Sequence, residues 1–279
     1  MPARSNQADT RLRREPSCLP PLAEFAGVIR VRARSANEVK RSPDGDPRSR
    51  LRAKIVRRPL RDDGRAQTTM ATLVSVQVGR PRERFDEEVW ISAIFKDAVT
   101  GPVHLTDVNL AGDEQADLVA HGGPDKAVCA YAVDHLSFWR QTLGRDDMAP
   151  GAFGENFSVR GLVEADVCIG DVFEVGTAVV QVSQPRSPCW KLGRKWARLD
   201  LPKIVIREGK TGWYFRVLRP GDVEAGQQLR RVERPYPEWT ITEANRLAYA
   251  KRSDDVRAER HRFAACAALS AAWRASMRE

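Results

Sequence analysis

The segment Thr177-Ala178-Val179-Val180-Gln181-Val182-Ser183-Gln184-Pro185-Arg186-Ser187-Pro188-Cys189-Trp190-Lys191-Leu192 decides how the chain is read. Apolar residues run as a strand to Val182 and then meet two prolines, which cannot continue a ladder. The prolines stiffen a corner that carries one thiol, Cys189, beside two cations, Arg186 and Lys191. A thiol near guanidinium and ammonium groups releases its proton more readily, and thiolates attack electrophiles or bind soft metals. Unpaired cysteines are most often small buried hydrophobes. The Pro-Cys corner and its polar lead-in argue here for a reactive or metal-binding thiol.

Working outward, Val172-Phe173-Glu174-Val175 and residues 179–182 form a hairpin around Gly176-Thr177. Alternation predicts further strands at 70–79, 89–96, 103–105, 128–131, 157–159, 212–218 and 227–232. Asp134 is placed to cap a helix over 135–143, with Leu136, Trp139 and Leu143 on one face and Gly144 ending it. A short helix is expected over 194–199, ended near Pro202. After Pro235 and Pro237 the pattern turns helical. Thr240 and Glu243 have capping-box spacing for 241–251, residues 254–269 follow, and Ser270 caps a third helix. Many short strands and few helices predict a mainly β chain, a closed or nearly closed barrel with a C-terminal three-helix appendage. So small an appendage packs on the barrel or, in a homodimer, on a second subunit. The expected division is a basic extension over 1–69, a barrel over 70–234 and helices over 235–279.

The net charge of +9 looks like a nucleic-acid footprint until it is located. Residues 1–69 hold 17 basic and 8 acidic residues, and the remainder holds 29 of each. The excess therefore says nothing of a nucleic-acid face on the folded part. Residues 1–69 read as a flexible basic arm or as an upstream extension of the reading frame, with Met70 favoured as the functional beginning. The five cysteines, at 18, 129, 168, 189 and 266, form no Cys-x-x-Cys pair. That argues against a disulfide framework or a structural zinc or iron–sulfur site and fits a reducing compartment. No apolar run approaches the ~20 residues that span a bilayer, and the run at 19–31 is broken by Pro20, Pro21, Glu24 and Arg30. A cytoplasmic protein without a membrane partner is expected.

Beyond the cysteine corner, His121-Gly122-Gly123-Pro124-Asp125 offers adjacent glycines that let backbone N–H groups approach an anion, and an imidazole to carry protons. A tight surface turn accounts for it equally well. Ser92 and Lys96, four apart on an expected strand, share a face and could serve an anionic ligand or a solvated edge. Gly209-Lys210-Thr211 lacks the glycine a P-loop needs at Ile204. Cys129, Cys168 and Cys266 read as core or helix packing.

Taken together, Gly112-Asp113-Glu114-Gln115-Ala116-Asp117, His121-Gly122-Gly123-Pro124-Asp125-Lys126, Phe153-Gly154-Glu155-Asn156, Ile169-Gly170-Asp171 and Gln184-Pro185-Arg186-Ser187-Pro188-Cys189-Trp190-Lys191-Leu192 resemble a MOSC domain, the module named after the C-terminal part of molybdenum cofactor sulfurase. The C-terminal helices resemble the appendage of its YiiM-like branch. The resemblance runs from about Met70 to the end. It implies a β-barrel that binds the molybdenum cofactor (molybdopterin), with Cys189 as the metal ligand. It also implies reduction of small N-hydroxylated compounds, including hydroxylaminopurine bases. Such a site needs a phosphate cradle, for which Lys96, Ser92, Arg186, Ser187, Lys191 and the Gly122-Gly123 turn are candidates. Glu155 and Asn156 are candidates for the pterin edge and His121 for a proton donor. No flavin, nicotinamide or cluster motif occurs, so a separate reductase is expected to supply electrons. Two other readings stand beside this one: a metal-free enzyme with Cys189 as nucleophile and His121 as base, and a non-catalytic carrier of the cofactor or its sulfur.

Overall fold

Short runs of β-branched and aromatic residues, stopped by glycine, proline or charged turns, build the strands of the computed structural model, which describes residues 70–279 apart from Glu87. The expectations for residues 1–69 lie outside the described residues. In chain order β1 (Met70–Val78) is followed by the hairpin of β2 (Arg82–Phe85) and β3 (Val89–Ser92), then β4 (Asp97–Ala98), β5 (Val103–Leu105) and the single helical turn α1 (Leu118–His121). β6 (Val128–Ala132), α2 (Leu136–Leu143), β7 (Phe157–Arg160), β8 (Val172–Val175) and β9 (Ala178–Pro185) come next. After α3 (Trp190–Lys195) and α4 (Leu201–Arg207) lie β10 (Trp213–Arg219), β11 (Gly221–Val223) and β12 (Gln228–Glu233).

Seven strands close on themselves in the order β12-β8-β9-β10-β6-β7-β1, because β1 pairs back to β12. All neighbours in this ring are antiparallel except β6 and β7, whose parallel pairing requires the crossover that α2 occupies. The interior of the barrel is filled. Leu73, Val128, Ala130, Phe157, Val159, Phe173, Val180, Val182, Trp213 and Phe215 belong to one buried cluster. No room for a cofactor remains among them, so a site has to lie outside the wall.

Strand alternation sends Tyr131 to the opposite, outer face, where it joins a second apolar cluster with Trp139, Phe153, Leu192 and Val205. Phe153 stacks on Tyr131 with ring centroids 4.1 Å apart, and Trp139 Nε1 donates to the Tyr131 hydroxyl at 2.6 Å. This outer cluster clamps α2, α3, α4 and the loop before β7 onto the barrel. The remaining three helices, α5 (Ile241–Tyr249), α6 (Asp254–Ala264) and α7 (Ala271–Ser276), are capped by Thr240, Ser253 and Ser270. Such caps are worth about 1 kcal/mol each. Their apolar faces share the main barrel cluster through Ile241, Leu247, Phe263, Leu269 and Trp273, so the appendage packs on the barrel of its own chain.

Four local expectations need correction. The strand expected at 89–96 ends at Ser92, whose hydroxyl accepts the Ile94 N–H at 3.1 Å and turns the chain. Asp134 accepts from Gly161 N at 3.0 Å instead of capping α2. Pro202 lies in the first turn of α4, a position proline favours, and so begins a helix where an ending was expected. Thr240 accepts from Glu243 N as a cap should, but the Glu243 carboxylate pairs with Arg246, leaving the box half made.

Gly212, at the entry to β10, has φ of +75°, and a Cβ there would lie 2.4 Å from the Ala130 carbonyl oxygen. Gly212→Ala combines positive-φ strain with a backbone clash and is expected to cost about 2 kcal/mol or more. Urea denaturation checks this; a change below about 0.5 kcal/mol would show that the β6–β10 junction yields without strain.

Candidate active site

On the outer face of the wall, Cys129 of β6 pairs with Tyr214 of β10, and both side chains line one cleft. The cleft is open to solvent; about 660 Å³ of space free of protein atoms lies in it together with the solvent at its mouth. A register shift completes its floor. Phe215 pairs with Val182 while Tyr214 pairs with Gln184, so Ser183 is an extra residue in β9. The bulge moves Gln184, and Arg186 two residues on, to the outer side with Tyr214. Arg186 N donates to Gly212 O at 3.1 Å, which carries the pairing past Pro185.

Arg186 is buried in this floor. Its Nη2 donates to Phe153 O, while Nη1 has no hydrogen-bond partner among the described residues. A buried guanidinium N–H without an acceptor beside an open cleft calls for an anionic or oxygen-bearing ligand. Cys189, half buried at the N-cap position of α3, lines the same cleft together with Ser187 and Lys191. Their cations and thiol meet in one space, as the sequence pattern suggested.

The opposite wall is an internal polar network. Asp113, fully buried, accepts from Gly79 N at 2.8 Å and from Asn156 Nδ2 at 2.9 Å, and forms an ion pair with Lys96. Asn156 also donates to Gln77 O at 3.1 Å and accepts from Cys129 N at 3.1 Å. Ser92, Lys96 and Asn156 line the cleft, but the charge of Lys96 is matched and the carboxamide of Asn156 is occupied. Glu155 does not line it. Its carboxylate accepts from Gly151 N, Phe153 N and Ser158 Oγ at 2.7, 3.0 and 2.8 Å and ties the glycine loop together. The carboxylate of Glu155 and the carboxamide of Asn156 thus already have partners within the chain, and of the two Asn156 alone lines the cleft.

Gly122 and Gly123 are also absent from the lining. A Cβ on Gly122 would meet Leu118 O at 2.9 Å, and Gly123 has φ of +94°, so the pair ends α1 and turns the chain. His121 does line the cleft. Burial first, then the positive charges of Lys191 and Arg186, push its pKa down to about 4. At neutral pH the ring is then uncharged, with one N–H to donate and one nitrogen to accept. Cys129 is pushed up to about 11, chiefly by burial, and the Tyr214 hydroxyl is raised by burial as well. Both keep their protons at neutral pH. Sequence reasoning missed these two cleft residues: β6 is buried along its whole length and β10 nearly so, and such patterns conceal which side chains face outward.

The chain matches the MOSC domain over residues 117–230 and the YiiM-like, 3-alpha helix domain over 239–279. YflK of Bacillus subtilis strain 168 is 43% identical over 206 residues, covering 74% of this chain and 92% of YflK. The chain belongs to the MOSC family, in its YiiM-like branch. YiiM of Escherichia coli K12 is 41% identical over 67% of this chain and 84% of its own length. The crystal structure of YiiM from Geobacillus stearothermophilus superposes with a TM-score of 0.63 at 39% identity, covering 74% of this chain and 97% of that one. A Gibberella moniliformis protein named Reductase is 37% identical over 64% of this chain but only 32% of its own length. MOSC domains are associated in general with molybdenum-cofactor binding. Among the described residues of this MOSC chain no helix is long and apolar enough to cross a membrane, and no three His, Cys, Asp or Glu side chains gather as a metal cluster.

The His121 environment has a measurable consequence. Its folded pKa lies below the unfolded value near 6.5, so between about 6.5 and 4 the unfolded chain binds the extra proton. This group's contribution to stability is present above that window and is lost as pH falls through it. NMR titration of the His121 ring is expected to show a midpoint near 4, moved upward in Lys191→Gln. A midpoint near 6.5 would mean that the ring is solvated and away from the cations.

Proposed function

We propose that this chain is a molybdenum-cofactor-dependent reductase of N-hydroxylated compounds, hydroxylaminopurine-type bases among them, with Cys189 as the protein ligand of the metal. The observation that carries the reading is the meeting, in one cleft, of the Cys189 thiol and a buried guanidinium N–H of Arg186 that has no partner among the described residues. A soft thiolate suits molybdenum, and the cations suit a phosphate and an anionic metal centre. The family and the relative named Reductase support the oxidoreductase class.

The residues fit the cofactor at its metal and anionic end. Cys189 would hold the metal, and Arg186 and Lys191, with Ser187, would hold the charged groups. The bound cofactor supplies two-electron oxygen-atom chemistry. The net reaction takes R–NHOH, two electrons and two protons to R–NH₂ and water, breaking the N–O bond. Within the chain, Arg186 neutralises negative charge from below the cleft. Lys96, held by Asp113, keeps the far wall fixed. Uncharged His121 can orient a ligand through a hydrogen bond, while Cys129 and Tyr214 present protonated groups that do not titrate near neutrality. The two protons then come from solvent through the open mouth, and the electrons from a separate reductase.

A second reading, a metal-free enzyme with Cys189 as nucleophile and His121 as base, rests on both residues lining the one cleft, but a ring whose pKa is pushed down to about 4 is a weak base for a thiol. Metal analysis separates the two. Protein from a cofactor-competent host is expected to carry molybdenum in proportion to chain. Cys189→Ala is expected to reduce this to background while leaving the thermal midpoint within a few degrees, and to abolish reduction of 6-hydroxylaminopurine with an artificial donor. Molybdenum retained by Cys189→Ala would overturn the ligand assignment, and stoichiometric loading without turnover would leave a carrier.

A further inference from the structure

The helix that begins at the cysteine corner ends on a lysine to which the proposed function gives no role. Lys195, the last residue of α3, is half-buried. Its ammonium donates to Ile94 O at 3.1 Å and to Gly151 O at 2.7 Å. The Phe95 and Trp196 rings lie 5.5 and 5.9 Å from it. Trp196 in turn donates from Nε1 to Ala152 O at 2.9 Å, and Arg186 Nη2 donates to Phe153 O. Three successive carbonyls of the glycine loop are therefore held by side chains of one segment, 186–196. The loop itself has little slack. Glu155 accepts from the N–H groups of Gly151 and Phe153, and a Cβ on Gly154 would lie 2.5 Å from Ile94 Cγ1.

These contacts close a circuit. Cys189 caps α3, and Lys195 and Trp196 at its other end grip residues 151 and 152. Residue 153 holds Arg186, and Ser187 and Pro188 lead back to Cys189. The second hydrogen bond of Lys195, to Ile94, ties the circuit to the far wall, where Ile94 and Gly154 line the cleft. Lys195 does not line the cleft itself, so any part it plays runs through the groups it holds. Resting on the proposed function above, we propose that Lys195 is a positioning residue. By clasping Gly151 and Ile94 it sets the spacing between the Cys189 thiol, where the metal is held, and the Arg186 guanidinium, where anionic groups are held. The clasp has a pH signature. Burial first, then Arg186 and Lys96, bring the Lys195 pKa down to about 8 against the opposing charge of Glu155. Those three are the charged groups facing it from the end of β9, the turn after β3 and the glycine loop. Above that pH a neutral amine replaces charge-assisted hydrogen bonds with weaker ones.

The test uses the full chain from a host lacking the cofactor and alkylates it with iodoacetate or iodoacetamide, read by mass spectrometry of the Cys189 peptide. Both reagents are attacked by the same thiolate. The ratio of their rates therefore cancels the thiol pKa and reports how closely cations stand to the sulfur. Lys195→Met is expected to lower the iodoacetate preference about 3-fold or more, because a cation displaced from a cleft cuts the local anion concentration. Lys195→Arg, which keeps charged donors, is expected to stay within about 2-fold of the parent. In an Arg186→Gln background, Lys195→Met is expected to change the ratio no further. An unchanged ratio in Lys195→Met would overturn the proposal. An equal fall in the Arg186→Gln background would overturn it too, because Lys195 would then act by its own charge alone. Should Lys195→Met fail to fold, the pH profile decides. The parent's ratio is expected to fall as pH rises through about 8, while that of Lys195→Arg stays level; identical profiles would overturn the proposal. Alkylation needs neither cofactor nor turnover, so failed molybdenum loading would sink the proposed function without touching this result.

Discussion

The pairing of β9 with β10 is the constraint on which the rest of the site depends. From Val180 to Val182 the two strands keep register, and their inward side chains close the barrel core. One extra residue at Ser183 reverses the parity of everything beyond it. Without the bulge, Gln184 and Arg186 would follow Val180 and Val182 into a packed apolar interior, where an unpaired guanidinium costs several kcal/mol. With it, Arg186 emerges beside Tyr214 and Cys129 on the outer wall, and the chain is delivered to the Pro-Cys corner from the correct side. Ser183 is itself secured, its hydroxyl donating to Tyr214 O at 3.1 Å and its carbonyl accepting from Ser270 N at 2.9 Å.

A filled barrel also explains why the opposite wall is polar yet not free. Asp113 is wholly buried, and removing one partner from such a pair typically costs about 3–5 kcal/mol because the other charge is stranded. Lys96 and Asn156 are thus committed to Asp113 before any ligand arrives. The arrangement divides the cleft. One side is rigid and internally neutralised, built from the turns after β1, β3 and β5. The other, from Arg186 to Lys191, keeps a donor and a thiol unspent. An anionic ligand gains most from the unspent side.

Much of the barrel was legible in the sequence, because alternation and glycine or proline stops are local signals. The hairpin of β8 and β9, the strand at β10 and the three capped helices follow from them directly. The site was legible in residue type more than in geometry. Cys189, Arg186 and Lys191 share a corner because they are close in sequence, and no long-range fact was needed to group them. Asn156 and Lys96 have the right chemistry for a ligand, but their partners come from residues 17 to 79 positions away, which spacing does not reveal; Glu155 is occupied by groups within four positions of it, in a turn whose shape the residue types alone do not show. Cys129 was read as core because both faces of β6 are covered, the inner by the barrel and the outer by the cluster around Tyr131 and Phe153. The bulge leaves no mark in composition at all. Ser183 looks like any polar residue near a strand end.

The C-terminal helices reach the same corner by three separate ties. Ser270 N donates to Ser183 O, Ala271 N donates at 3.2 Å to the Asp125 carboxylate, and Tyr249 meets Ser187 at the cleft rim. Asp125 is held in turn by Arg216 on β10 at 2.8 Å and lies next to Lys126 of the cleft lining. An appendage of this size, too small to bury an adequate core alone, is stabilised by the barrel cluster it shares. The exchange runs both ways. The same contacts hold the bulged end of β9, the turn after α1 and the segment leading into Cys189, which are the places where the barrel wall is least regular. The C-terminal helices thereby fix the geometry of segments that precede them by 62 residues (Tyr249 to Ser187), 87 residues (Ser270 to Ser183) and 146 residues (Ala271 to Asp125). A stiffened corner loses less conformational entropy on ligand binding than a free one.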